Sequence, residues 1–171
     1  LSDIDDLTVV AGSDRSRPES VALGLAALGR CEADTVVLVH DAARPLTPPQ
    51  VTERVIDAVA GGAGAVIPVL PVTDTLKTVD AAGLVVGTPR RSDMVAVQTP
   101  QGFRWDVLIR AHEEGASLGA DEARAATDDA GLVEAIGGSV QTVAGNERSM
   151  KVTRPLDLAL AQILVAEETG A

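Results

Sequence analysis

The residues of this chain best suited to chemistry are cations placed where the backbone turns rather than where it packs. Its 171 residues carry 14 Lys and Arg against 25 Asp and Glu, a formal net charge of -11. Lys77 and Lys151 are the two lysines, both in short extended segments beside polar turns. Arg15, Arg17, Arg44, Arg90, Arg91 and Arg154 also fall in loops or at element ends. In a chain this acidic, cations gathered at strand ends suit an anionic ligand. The competing reading, surface arginines pairing locally with the excess carboxylates, has equal weight at this point.

One stretch gives these cations a centre. Val36 to Pro45 reads VVLVHDAARP, an apolar β-branched run that stops at His40, Asp41, Ala42, Ala43, Arg44 and Pro45. A buried strand delivering an acid, two small residues and an arginine into a loop is a common way to build a site at the carboxyl edge of a sheet. Asp41 is suited to holding a divalent ion or a sugar hydroxyl, and Ala42 and Ala43 let backbone approach a ligand. The plainer alternative has Asp41 capping its own loop with Arg44 paired to it. His40 is more often a packed histidine than a base.

Other chemistries fit poorly. Ser20 has no His or Asp partner at a recognisable spacing, which weakens a hydrolase triad. Cys31 is the single cysteine and is joined by only two histidines, too few for a zinc site or an internal disulfide. The acidic balance, with one Trp, one Phe and no Tyr, argues against a nucleic-acid surface. No apolar run approaches membrane-spanning length and no basic-then-apolar leader precedes the fold, so a cytoplasmic protein is the expectation.

The positioning elements follow from periodicity. After Val9 and Val10, the loop from Ala11 to Arg17 leads to Pro18 and to Val21, Leu25 and Leu28 on one helical face, ending at Gly29. Such a junction can hold phosphate or ribose on free amides and hydroxyls, or it can be an ordinary capped helix. Thr35 to Val39 is a strand, Thr47 an expected N-cap, and Val51, Val55 and Val59 line the next helix. Ala65 to Leu70 is a second buried strand. Residues 72–88 read as a hairpin arm turning at Asp80 to Gly83, with too little to bury alone, which points to packing on a second subunit.

Val95 to Gln98 is a further strand, with Thr99 to Phe103 as the loop that ends it, and a helix follows from Arg104 to Glu113. The stretch from Glu114 to Ala126 looks loose. Thr127, Asp128 and Asp129 open a helix that Gly137 and Gly138 close. A strand over 140–143, a short strand at Met150 to Val152 and a last helix burying Leu156, Leu160, Ile163 and Leu164 complete the chain. The alternation predicts an α/β fold in one domain with one antiparallel arm.

Taken together, VLVHDAARP at 37–45, PVTDTLK at 71–77, TPRRSDMVAVQTPQGF at 88–103, TDDAGLVE at 127–134 and KVTRPLDLALA at 151–161 resemble the 2-C-methyl-D-erythritol 4-phosphate cytidylyltransferase family. The resemblance implies a Rossmann-like, mostly parallel sheet with helices on both faces, of the nucleotidyltransferase type, dimerising through the 72–88 arm. It implies CMP transfer from CTP to methylerythritol phosphate with Mg²⁺. By this similarity Gly12, Ser13 and Ser20 lie near cytosine and ribose, Asp41 and Ala42 beside nucleotide and metal, and Lys151 at the α-phosphate with Thr127 close by. Arg44, Thr75, Arg91 and Thr99 form the sugar-phosphate pocket, Thr75 and Arg91 reaching the neighbouring subunit's site. The expected catalytic residues are Lys151, Asp41 and Arg44.

Two departures accompany the resemblance. The loop from Gly12 to Ser20 is one residue longer than the expected pattern. The family's first strand and glycine-rich triphosphate loop have no counterpart in these residues, so the expectation is a domain without its amino-terminal segment, weak or inactive as given. HDAARP is shared in similar form with ribitol 5-phosphate cytidylyltransferases, the nearest alternative. A non-catalytic dimeric module derived from such an enzyme is the other.

Overall fold

The computed structural model describes residues 7–14, 16–115 and 128–169. In chain order the elements are α1 (Arg17–Leu28), β1 (Val36–Val39), α2 (Pro49–Ala60), β2 (Ala65–Pro71), β3 (Thr78–Val79), β4 (Val85–Gly87), β5 (Val95–Val97), β6 (Gln101–Arg104), α3 (Trp105–Gly115), α4 (Asp129–Ala135), β7 (Val140–Ala144) and α5 (Pro155–Thr169). Single 3-10 turns cover Arg91–Asp93 and Glu147–Ser149.

β2 is the axis of the central sheet. One of its edges pairs in parallel with β7 from Ala65↔Val140 to Val69↔Ala144. The other is shared: β6 takes Ala65 and Val66, and β5 takes Val69 to Pro71, both antiparallel. β1 then adds to β6, again antiparallel, from Val36↔Arg104 to Val39↔Gln101.

The α/β class therefore stands, while the mostly parallel pairing does not. β1, β2 and β7 run the same way, yet β6 lies between β1 and β2 and opposes both. The cause is local. QTPQGF looks like a loop because it holds a proline, a glycine and three polar residues, but Gln101 to Arg104 is a strand. The bulk missing at Gly102 makes room for a helix: a Cβ there would run into Val55 Cγ1 and come within 3.2 Å of Val59 Cγ2.

Alternation along the strands sends side chains to two cores. Val37, Ala65 and Phe103 face one side, packing with Leu25 of α1, Leu108 and Ala111 of α3, and Leu132 and Val133 of α4. Val66 faces the other, with Val55 and Val59 of α2, and Val36, Leu38 and Val143 pack around them. Helices thus cover both faces, as expected. Fully burying a side chain of this size is worth about 1.5–3 kcal/mol, and Val51, Val55 and Val59 are at most 2% exposed.

Helix boundaries follow ordinary capping chemistry. Ser16 accepts the Glu19 N–H at the start of α1, and Gly29 ends that helix at φ 74°. Thr47 is not the cap of α2: Pro48 holds that position, and the Thr47 hydroxyl donates to the Arg44 carbonyl at 3.1 Å. Asp128 caps α4, accepting from Gly131 N–H.

The arm is smaller in regular structure than its alternation suggested. β3 and β4 form their own two-stranded sheet, and Asp80 closes the turn by accepting the N–H groups of Ala82 and Leu84, each at 2.9 Å. Val79, Leu84, Val85 and Val86 are 60–66% exposed. The last helix also departs from expectation: Leu156, Leu160 and Ile163 are 78%, 45% and 57% exposed, and Ala161 is its buried apolar residue. Its apolar residues are spread around the axis rather than gathered in one stripe, so no single face can bury them all. Met150 to Val152 is not a strand. The stretch expected to be loose falls largely on 116–127, outside the described residues.

Candidate functional site

Asp41 begins at the end of β1, where the ladder to β6 stops and the chain turns. Arg44 N–H closes the turn on the Asp41 carbonyl at 2.9 Å. The Asp41 N–H, left without a strand partner, is accepted by Thr99 Oγ1 at 3.0 Å, and that hydroxyl also lies 3.0 Å from His40 Nδ1. Thr99 is 5% exposed. It stands directly behind the loop.

Three cations converge on the Asp41 carboxylate. Lys151 Nζ lies 3.1 Å and Arg44 Nε 3.6 Å from Oδ2, and Arg17 Nε lies 3.5 Å from Oδ1. Burial by itself would raise the Asp41 pKa. The hydrogen bond from Lys151 and the charges of Lys151, Arg17 and Arg44 outweigh it and hold the carboxyl below its ordinary range.

Each cation is placed by the backbone around it. Val152 N–H donates to the Ala43 carbonyl at 2.7 Å, which brings the segment holding Lys151 alongside the loop. Arg44 Nη1 donates to the Ser149 carbonyl at 2.6 Å and Nη2 reaches the Val97 carbonyl at 3.4 Å. The turn that carries Ser149 is anchored in turn by Gln98, which exchanges two hydrogen bonds with the Asn146 backbone at 2.8 and 3.0 Å. Lys151 itself remains 47% exposed, free to meet a ligand.

Arg17 heads α1, and its Nη1 donates to Asp129 Oδ2 at 2.7 Å. Asp129 is fully buried and accepts from His112 Nε2 at 3.0 Å on its other oxygen. Burial alone would lower the Arg17 pKa, but Asp129 and Asp41 together raise it above the ordinary value. The patterning of the sequence placed Arg17 in a loop, counted it among the cations suited to an anionic ligand without a role of its own, and read Asp129 only as an acid in a first turn. The available signal was an arginine at a helix N-terminus, where positive charge is disfavoured without a partner.

Of the residues expected at the site, Asp41, Ala42, Arg44, Thr99 and Lys151 are gathered at this point. Gly12, Ser13 and Ser20 lie together at the start of α1. Ser13 N–H donates to Ser20 Oγ at 2.9 Å, and the Ser20 hydroxyl lies 3.2 Å from the Ser13 carbonyl. Gly12 and Ser20 line a cleft of about 440 Å³ that extends along Val37 to His40, so it opens beside the Asp41 loop. Thr75 and Arg91 are not among the side chains bonded to the cluster: Arg91 Nη1 donates to the Thr73 carbonyl at 2.8 Å and borders a separate cleft at the root of the arm. Thr127 lies outside the described residues.

Among the described residues, no three His, Cys, Asp or Glu side chains form a metal cage. A magnesium ion bound to a nucleotide does not require one, because it is commonly held by one or two carboxylates plus substrate phosphates. Asp41, with a side chain 16% exposed and next in sequence to His40 of the cleft lining, fits that donor set.

The cations around Asp41 can neutralise and align phosphates, and positioning with charge neutralisation is the chemistry of a nucleotidyltransferase. The family model for 2-C-methyl-D-erythritol 4-phosphate cytidylyltransferase (IspD) matches residues 1–167, and the chain belongs to that family. It is 52% identical over 162 residues to the enzyme of that name from Rhodococcus jostii, covering 95% of this chain and 67% of the relative. It is 53% identical over 161 residues to that from Frankia casuarinae, covering 94% and 57%. The chain spans roughly three fifths to two thirds of these relatives' length.

Solved structures agree. The enzyme of that name from Thermus thermophilus superposes with a TM-score of 0.72 at 40% identity, covering 91% of this chain and 71% of that one. The Francisella tularensis enzyme gives 0.83 at 27% identity, covering 94% and 73%.

Proposed function

We propose that the protein transfers CMP from CTP to 2-C-methyl-D-erythritol 4-phosphate, forming 4-diphosphocytidyl-2-C-methyl-D-erythritol and pyrophosphate for isoprenoid synthesis by the non-mevalonate route. The observation that carries this reading is the meeting of Lys151, Arg44 and Arg17 on Asp41 in a member of this family. An oxygen of the substrate phosphate attacks the α-phosphorus in line and the bond to pyrophosphate breaks. No covalent enzyme intermediate is needed.

The residues divide the work by position. The cleft bordered by Gly12 and Ser20 receives the nucleoside, with Ser13 and Ala42 beside it. Lys151 leaves Asp41 for the α-phosphate, where negative charge grows in the transition state. Arg44 faces the sugar phosphate, and Thr99 holds the loop between them. When bound, Mg²⁺ would be held by Asp41 together with the nucleotide phosphates and would supply further charge neutralisation. Thr75, Arg91 and Thr127 complete the acceptor pocket, the first two contributed across a homodimer by the arm.

The protein works in the cytoplasm, without membrane or nucleic-acid partners. Among the described residues no helix is long and apolar enough to cross a membrane. The test is pyrophosphate release by the complete polypeptide with CTP and Mg²⁺. Release that depends on methylerythritol phosphate is the expected result; efficient turnover with ribitol 5-phosphate in its place, or none with either, overturns the reading.

A further inference from the structure

We propose that Arg17 is a positioning residue for this reaction: clamped at one edge by buried Asp129, its guanidinium fixes the rotation of the Asp41 carboxylate, and thereby where the Lys151 ammonium stands. The proposal rests on the nucleotidyl-transfer reading above. Its geometry does not.

The contacts divide by oxygen atom. Arg17 Nε faces Asp41 Oδ1 at 3.5 Å, while Lys151 and Arg44 both face Oδ2, at 3.1 and 3.6 Å. Among the described residues, Arg17 is therefore the cation on the Oδ1 side. The other edge of its guanidinium is held at 2.7 Å by Asp129, whose side chain is fully buried and whose second oxygen His112 occupies at 3.0 Å.

That support is costly unless it does something. A cation in the first turn of α1 opposes the helix dipole, and a buried carboxylate loses its hydration. Asp129 offsets part of this at the N-terminus of α4, where negative charge is favoured. The result is a fixed strut from α3 and α4, through one guanidinium, to the loop after β1. Arginine suits this because its planar fork can serve two carboxylates at once, whereas a lysine ammonium acts as a point charge.

The test compares wild type, Arg17→Met, Arg17→Lys, Asp41→Asn and the Arg17→Met/Asp41→Asn double variant in the complete polypeptide, by steady-state kinetics and crystal structures. Arg17→Met is expected to lower kcat by about 10-fold or more, as small misplacements of reacting groups do, with the CTP KM little changed. Arg17→Lys should show the same pattern, which covers the case in which the Met variant does not fold. The double variant should be no slower than Asp41→Asn alone, because Arg17 acts through Asp41. In the crystal, the Asp41 carboxylate of the variant should rotate and its contact with Lys151 lengthen.

Multiplying effects in the double variant, or an Asp41–Lys151 contact unchanged without Arg17, would overturn the positioning role. A wild-type protein that released no pyrophosphate would instead remove the transfer reading, and the crystal comparison would still decide the strut.

Discussion

Val152 donates its backbone N–H to the carbonyl of Ala43 at 2.7 Å, joining the approach to the last helix to the loop after the first strand. This main-chain bond aligns the two segments that carry Lys151 and Asp41. Because it needs no side chain, the alignment survives substitution of either residue, and side-chain variants there report on chemistry more than on folding.

Lys151→Ala should therefore abolish most turnover while leaving stability almost intact. Loss of a charge that meets the transition state costs on the order of 100-fold in kcat, whereas a half-exposed ion pair is worth about 1 kcal/mol or less. Pyrophosphate release and urea denaturation measure the two. A kcat within threefold (roughly 0.6 kcal/mol) of wild type would exclude Lys151 from the reacting centre.

Thr99 tests the loop from behind. Thr99→Val keeps the shape but leaves the Asp41 N–H without its acceptor, which should cost about 1–3 kcal/mol and lower activity with it. Thr99→Ser should restore both. If Ser restored stability but not activity, the site would require the methyl group as well as the hydroxyl.

The close approach at Gly102 predicts an overpacking defect. Gly102→Ala should destabilise by about 1–3 kcal/mol, because its methyl would press on Val55 and Val59. Adding Val55→Ala should recover part of that loss, so the double variant falls short of the sum of the singles. Strict additivity in denaturant midpoints would place the strain elsewhere.

Acid should expose the buried carboxylate. Burial alone would raise the Asp129 pKa, but the hydrogen bond from His112 and the charge of Arg17 hold it below the ordinary 3.8. A carboxyl depressed in the folded state adds stability above its unfolded pKa and loses it as pH falls through the folded value. Asp129→Asn should be about 3 kcal/mol less stable at neutral pH, with a flatter decline below about pH 4. Parallel pH profiles for the two proteins would show that Asp129 is not the group responsible.

If the arm serves a neighbouring subunit, two inactive proteins should help one another. Arg91→Ala and Lys151→Ala chains, mixed and re-annealed, should form heterodimers holding one intact site and recover activity that neither shows alone. Confirmed heterodimers without recovery would return Arg91 to its own subunit.

Much of this was legible because it is local. The triad Val51, Val55 and Val59 marks a buried helix face by spacing alone, Gly29 marks a stop, and the apolar run into His40 and Asp41 marks a strand ending in a site. β6 was hidden because its identity comes from neighbours: Gln101 and Gly102 suit a strand only when β1 and β2 flank it and α2 crosses close above. The strut from Asp129 to Arg17 was hidden for a related reason. Ion pairing between distant elements leaves no period in the sequence, and an acid in a first turn looks the same whether it faces water or a buried guanidinium. The leucines of α5 misled in the opposite sense, since composition promised burial that the described residues do not supply.

Asp41 has a consequence for how a ligand enters. Arg17 is held by Asp129 and Arg44 by the Ser149 and Val97 carbonyls, but without Asp41 their charges and that of Lys151 would face one another with no anion between them. With Asp41 among them, the protein carries its own stand-in for a phosphate. If a nucleotide phosphate is to take that place, Lys151, at 47% exposed against 33% for Arg17 and 13% for Arg44, is the cation with most freedom to follow it.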